Sequence, residues 1–217
     1  MSRKNPFLGL GLTSPATSFF RRPFGNLPPN VWARLSSADE DTKDGAVPTL
    51  TNNDLTASTS TGGVWHHGRS TLGFRTGQWY WEITPVGEPQ IGIENTSEPI
   101  DRTFFNAGTT NGIATRNGSV WVGGSQDLTG QTDWTDNDTV GFAFDADIGR
   151  MDIYINGAFA YGITTSMGDG QFKKPSYSVF FQSIPWTVTF NFGESGFAQT
   201  PPVGYKAVNT ANGATLA

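Results

Sequence analysis

The sequence predicts an all-β chain, an antiparallel sandwich or barrel with an extended N-terminal arm. Three observations predict it. Many short runs alternate apolar and polar side chains, so each has one face to bury. Asn-Gly, Gly-Gly and Asp-Gly steps separate those runs, and such residues accept the positive φ of tight hairpins. No segment sustains a 3.6-residue apolar period.

The arm comes first. Residues 1–29 scatter Phe7, Leu8, Leu10, Leu12, Phe19, Phe20, Phe24 and Leu27 among prolines and glycines. Pro23, Pro28 and Pro29 withhold backbone donors, and Gly9 and Gly11 add chain entropy, so no regular element forms there alone. The stretch is nonetheless too apolar for a solvated tail. An arm that lays these side chains, with the basic step Arg21-Arg22, on a neighbouring subunit satisfies both observations. The other reading is an arm folded back on its own domain. Charge divides at the same place: residues 1–34 hold Arg3, Lys4, Arg21, Arg22 and Arg34 and no acid, a local +5 in a chain of net −5.

The sandwich is expected over residues 30–210, followed by a C-terminal tail at 211–217. Its strands, in order, are VWARL (31–35), GGVWH (62–66), TLGF (71–74), QWYWEIT (78–84), QIGIE (90–94), GIATR (112–116), SVWVG (119–123), TVGFAFD (139–145), RMDIYIN (150–156), YSVFF (177–181) and WTVTFNF (186–192). The acidic stretch SSADEDTKDG after the first of these reads as a solvated connection. Trp79, Trp81 and Ile83 share one face of their strand, with Gln78, Tyr80 and Glu82 opposite. Val140, Phe142 and Phe144 make a second row, Met151, Ile153 and Ile155 a third, and Val188, Phe190 and Phe192 a fourth. No repeat of solenoid or propeller type is present.

Composition narrows the function. With 217 residues and 36% hydrophobic content the chain has material for one large domain. Cysteine is absent, which removes disulfides, thiolate metal sites and cysteine nucleophiles. The two histidines, His66 and His67, are neighbours; on a strand they point to opposite faces and cannot chelate one ion together. One of them at least is expected as a satisfied polar residue near a sheet edge. The net charge of −5 argues against general nucleic-acid affinity, and no apolar run is long enough for membrane insertion.

The order of the strands and their residues resembles the SPRY domain family. GQWYWEI (77–83), IGI (91–93), RNGSVWVGG (116–124), DNDTVGFAFDADIGRMDIYINGA (136–158) and TFNFGESGFAQTPPVGYKAVN (189–209) are similar to that family's successive motifs. The resemblance covers roughly residues 50–210. It implies a bent two-sheet β-sandwich that binds a protein or peptide through loops at one end, without catalysis. The ending PPVGYKAVN and the Thr-, Asn- and Gly-rich composition look most like SPRY modules of tailed-bacteriophage structural proteins.

The acidic clusters are where catalytic chemistry could lie. Asp133, Asp136, Asp138, Asp145, Asp147 and Asp152 lie close in sequence, and paired carboxylates could serve a β-sandwich glycan hydrolase. Most of them, however, precede a strand or flank a turn, and only Glu82 projects from mid-strand. Asp145, Asp147 and Gly149 spell the start of a calcium loop, yet the twelfth position holds Asn156 where a bidentate Glu is required. No catalytic residue, metal or cofactor is therefore expected. The better functional candidates are aromatics in long loops: Phe104 and Phe105, with Asn106, in 94–110, and Trp134 in 127–136. Such rings either meet a ligand or tuck back as lids over the core.

The expectation is a non-enzymatic structural protein of a tailed-phage virion, a capsid decoration or fibre- or tail-associated module. Its arm would dock on capsid or tail subunits in a homo-oligomeric or multi-copy assembly. The alternative is an adhesin module that reads a host surface protein or glycan.

Overall fold

The computed structural model describes residues 30–40, 47–59, 65–97, 112–180 and 185–216. The arm, with Phe7, Leu8, Leu10, Leu12, Phe19, Phe20, Arg21, Arg22 and Phe24, lies outside them, as do Phe104, Phe105 and Asn106.

Two large sheets carry the fold. The seven-stranded sheet runs β1 (Leu35–Glu40), β4 (Trp65–Ser70), β14 (Lys173–Phe180), β7 (Gln90–Asn95), β8 (Gly112–Arg116), β9 (Ser119–Val122) and β10 (Ser125–Leu128). The eight-stranded sheet runs β13 (Ala158–Thr164), β12 (Arg150–Ile155), β11 (Val140–Asp145), β6 (Gln78–Val86), β15 (Trp186–Asn191), β3 (Thr56–Thr59) and β2 (Thr49–Thr51), with β16 (Lys206–Ala207) added to β6. A two-stranded ribbon pairs β5 (Leu72–Gly73) with β17 (Thr215–Leu216). Among the described residues every strand pairing is antiparallel except β6 with β16.

The four expected apolar rows come together as one surface. Trp81 lies opposite Phe142, and Phe142 opposite Ile153; Trp79 lies opposite Phe144, and Phe144 opposite Met151. On the other flank Phe190 faces Ile83. The Trp81 and Phe142 rings stack at 5.4 Å between centroids, as cross-strand aromatic neighbours do. The seven-stranded sheet supplies Ile91, Ile93, Ile113, Val120, Tyr177 and Val179 to the same core. Tyr177 meets Trp186 at 5.9 Å and Phe190 at 6.2 Å, which joins the two layers. Each such side chain contributes about 1.5–3 kcal/mol by leaving water.

The far face of β6 is buried as well. After β15 the chain turns at Gly193 (φ 95°) and crosses outside the eight-stranded sheet. Phe197 packs edge-on against Tyr80 at 4.8 Å, and Ala198 and Gln199 donate their backbone N–H groups to the Glu82 carboxylate. The strap then returns as β16, beside the part of β6 that β15 has left.

Three expectations change. The first strand is Leu35–Glu40 rather than 31–35, so much of the supposed acidic connection is a strand. Trp32 makes a single bridge to Asn209. Glu40 is buried on the core side of β1, which its charge does not advertise in sequence. Residues 211–216 are no tail: Asn209 caps a 3₁₀ turn at Thr210–Asn212, Gly213 ends it, and β17 pairs with β5. His66 and His67 do point to opposite faces, yet β4 is flanked on both sides by strands and both rings are wholly buried.

Candidate functional site

The end of the sandwich at which β6 finishes carries the loop expected to present Trp134. Of the two roles open to that ring, the structure gives the lid and not the ligand contact: Trp134 is 5% exposed and belongs to the core cluster. The loop is pinned down on both sides of it. Gln131 N–H donates to Gly118 O (2.8 Å) and Asn137 N–H to Pro85 O (2.9 Å). Thr135 N–H donates to Asp138 Oδ2 (2.7 Å). So held, the indole closes the sandwich end as a lid.

The acidic residues at both ends of the sandwich fasten loops. Asp136 accepts from Gly87 N–H (2.8 Å), and Asp138 from the Asn156 amide (2.7 Å). The Thr135 N–H and the Asn156 amide hold the Asp138 carboxyl below its ordinary range. Asp145 and Asp147 hold the β11–β12 turn, accepting from Gln78 and Asp147 N–H, and from Gly77 N–H, respectively. Glu82 accepts from Ala198, Gln199 and Asn191 at 2.8–2.9 Å and is 1% exposed. Among the described residues no three metal-ligating side chains converge.

A second polar group lies on the outer face of the seven-stranded sheet. Glu94 of β7 accepts from Arg69 and contacts His67 Nε2 at 2.6 Å, both on β4. All three are almost wholly buried. Burial pushes the Glu94 carboxyl up, but the neighbouring His67 and Arg69 outweigh it and hold it below its ordinary value. Around them Gln90, Ser176 and Ser178, fully buried, have side-chain polar atoms without a hydrogen-bond partner among the described residues. This arrangement holds fixed charge out of water and ties β4 to β7 across β14.

At the opposite end from Trp134 there is an open cleft of about 380 Å³. It lies between the turn that leads into β6 and the C-terminal ribbon. Its floor is aromatic: Phe74 stacks on Trp79 at 4.7 Å, and Phe172 stands beside them. Two cations sit on these rings. Lys206 Nζ is 4.5 Å from the Trp79 centroid, and the Arg75 guanidinium is 5.5 Å from that of Phe172. Lys206 donates to Asn212 O (2.7 Å), and neither cation forms an ion pair among the described residues. Among the described residues no carboxylate lines the cleft, and Asp147 is engaged with Gly77 N–H. Sequence reading missed this place. Positions 75, 172 and 206 meet only because Phe74 bridges to Lys173 and β16 joins β6.

Comparisons with known proteins bear on this architecture. The SPRY domain of human HERC1 superposes with a TM-score of 0.59 over 72% of this chain and 96% of that one, at 15% identity. The fold is SPRY-like. The TRIM65 PSpry domain matches with a TM-score of 0.55 over 74% of this chain and 90% of its own, at 13% identity. The stonustoxin structure gives 0.58 over 74% of this chain, at 12% identity, and only 27% of the toxin chain takes part. No family model matches the sequence, and no curated protein does. The SPRY-like sandwich thus accounts for the order of motifs from GQWYWEI to PPVGYKAVN, while sequence identity to these solved structures stays low.

Proposed function

We propose that this chain is a non-enzymatic protein-interaction module, and that it serves as a structural component of a tailed-phage particle. The observation that carries the first part is the SPRY-like sandwich, superposed over 96% of a SPRY domain. The commitment of Glu82, Asp136 and Asp138 to backbone and amide donors supports a binding rather than a catalytic role. The phage assignment rests on the ending PPVGYKAVN and on the arm of residues 1–29, where apolar and basic side chains stand together on a chain that is otherwise acidic. In this reading the arm anchors the protein to capsid or tail subunits and the sandwich is displayed. The arm also favours this over a free-standing reader of host proteins or glycans, which has no need of an apolar extended segment.

Light scattering on the full chain and on a 30–217 truncation tests the proposal. The full chain is expected to assemble, and the truncation to be a folded monomer. A truncation that unfolds, or that keeps the full chain's mass, would overturn the anchoring role.

A further inference from the structure

The geometry points to the cleft between Phe74, Trp79, Phe172 and Lys206 as a docking site for an acidic peptide segment of a partner protein. The inference rests on the protein-interaction reading and names the chemistry of one contact within it.

Charge carries the argument. Residues 35–217 have a net charge of −10, yet this cleft presents Arg75 and Lys206 with no lining carboxylate among the described residues. An ammonium has three donors, and Lys206 gives one to Asn212 O, which leaves two for a ligand. Arg75 is an exposed residue, and its guanidinium can take a carboxylate with two parallel hydrogen bonds. Both cations are already held over rings, so little side-chain entropy is lost when they bind. Beneath them Phe74 and Trp79 stack into a rigid aromatic floor, which suits an apolar or aromatic residue next to the acid. The volume of about 380 Å³ admits a short side-chain pair rather than a large cofactor.

Calorimetric titration of the full chain tests this, with three probes: acetyl-Glu-Glu-Phe-Glu-Glu-amide, its Gln-for-Glu counterpart, and inorganic phosphate. The acidic peptide should bind with saturation, and the other two should bind at least about ten-fold more weakly. Lys206→Met keeps the stem over Trp79, and Arg75→Met alters an exposed position, so both should fold with melting temperatures close to the parent's. Each should weaken the acidic peptide by roughly ten-fold, the scale of a lost charge-assisted hydrogen bond. Arg116→Met, at the other end of the sandwich, should leave its affinity unchanged. Equal binding of the Gln peptide, phosphate bound as tightly as peptide, or indifference to Lys206→Met would each overturn the inference. If no probe binds while the full chain still assembles through residues 1–29, the cleft proposal alone falls.

Discussion

Glu94, His67 and Arg69 show how a few buried residues fix a sheet without contributing apolar surface. A buried ion pair is costly to form, but removing one partner strands the other charge out of water. Arg69→Met should therefore lower stability by about 3–5 kcal/mol in urea titration. Loss of less than about 1 kcal/mol would mean that the charge reaches water and the network is not closed. Glu40 presents the opposite case. Desolvation is the chief cause, the Tyr177 hydroxyl opposes it and the Asp54 charge adds to it, and its pKa is pushed up to about 7. The folded state therefore holds a proton that the unfolded chain releases near the ordinary value of 4.5. The stabilisation is complete below that unfolded value and is lost as pH rises through about 7. Glu40→Gln should remove this component of the slope and leave the variant more stable at pH 8, by about 1–3 kcal/mol. Parallel melting curves of parent and variant from pH 5 to pH 8 would contradict it.

At the scale of elements, alternation made the central strands legible. Trp79, Trp81 and Ile83 on β6 and Phe142 and Phe144 on β11 announce one apolar face, and the structure places them in register. Asn156-Gly157 announced the β12–β13 hairpin, and both residues take positive φ (50° and 83°). The β13 strand that follows was not legible, because only Tyr161 and Ile163 of AFAYGIT turn fully inward. β2 and β3 were missed for a related reason: TLT and TAST lack an apolar row, and their connection uses Asn52, Asn53 and Asp54, all with positive φ. The strap from Gly193 to β16 could not be read either, since its partners Tyr80 and Glu82 sit on the face that alternation assigns to solvent. The candidate site was less legible still. Trp134 looked like a loop tip because its burial depends on backbone bonds to Gly118 and Pro85, remote in sequence. The strap itself makes a prediction. A Cβ at Gly193 would lie 2.7 Å from the Phe197 ring and 3.2 Å from Ala207, in a backbone conformation that disfavours side chains. Gly193→Ala should cost more than about 1 kcal/mol and loosen the Tyr80–Phe197 contact. Hydrogen exchange at Ala198 and Gln199 N–H reports it; unchanged protection there would mean the strap is not held by Gly193.

At the scale of the whole molecule, a basic, apolar arm precedes an acidic sandwich whose polar groups are largely committed to closing its own loops. The sandwich is proposed to supply a binding cleft at its Lys206 end, and the arm to supply attachment. Sufficiency is the sharpest test of that division. Residues 1–29 would be fused to an unrelated monomeric carrier protein, and the fusion mixed with the full chain and followed by sedimentation velocity. The fusion is expected to enter the full chain's assemblies while the carrier alone does not. A fusion that sediments as a monomer beside assemblies of the full chain would contradict the account and place the assembly contacts in the sandwich.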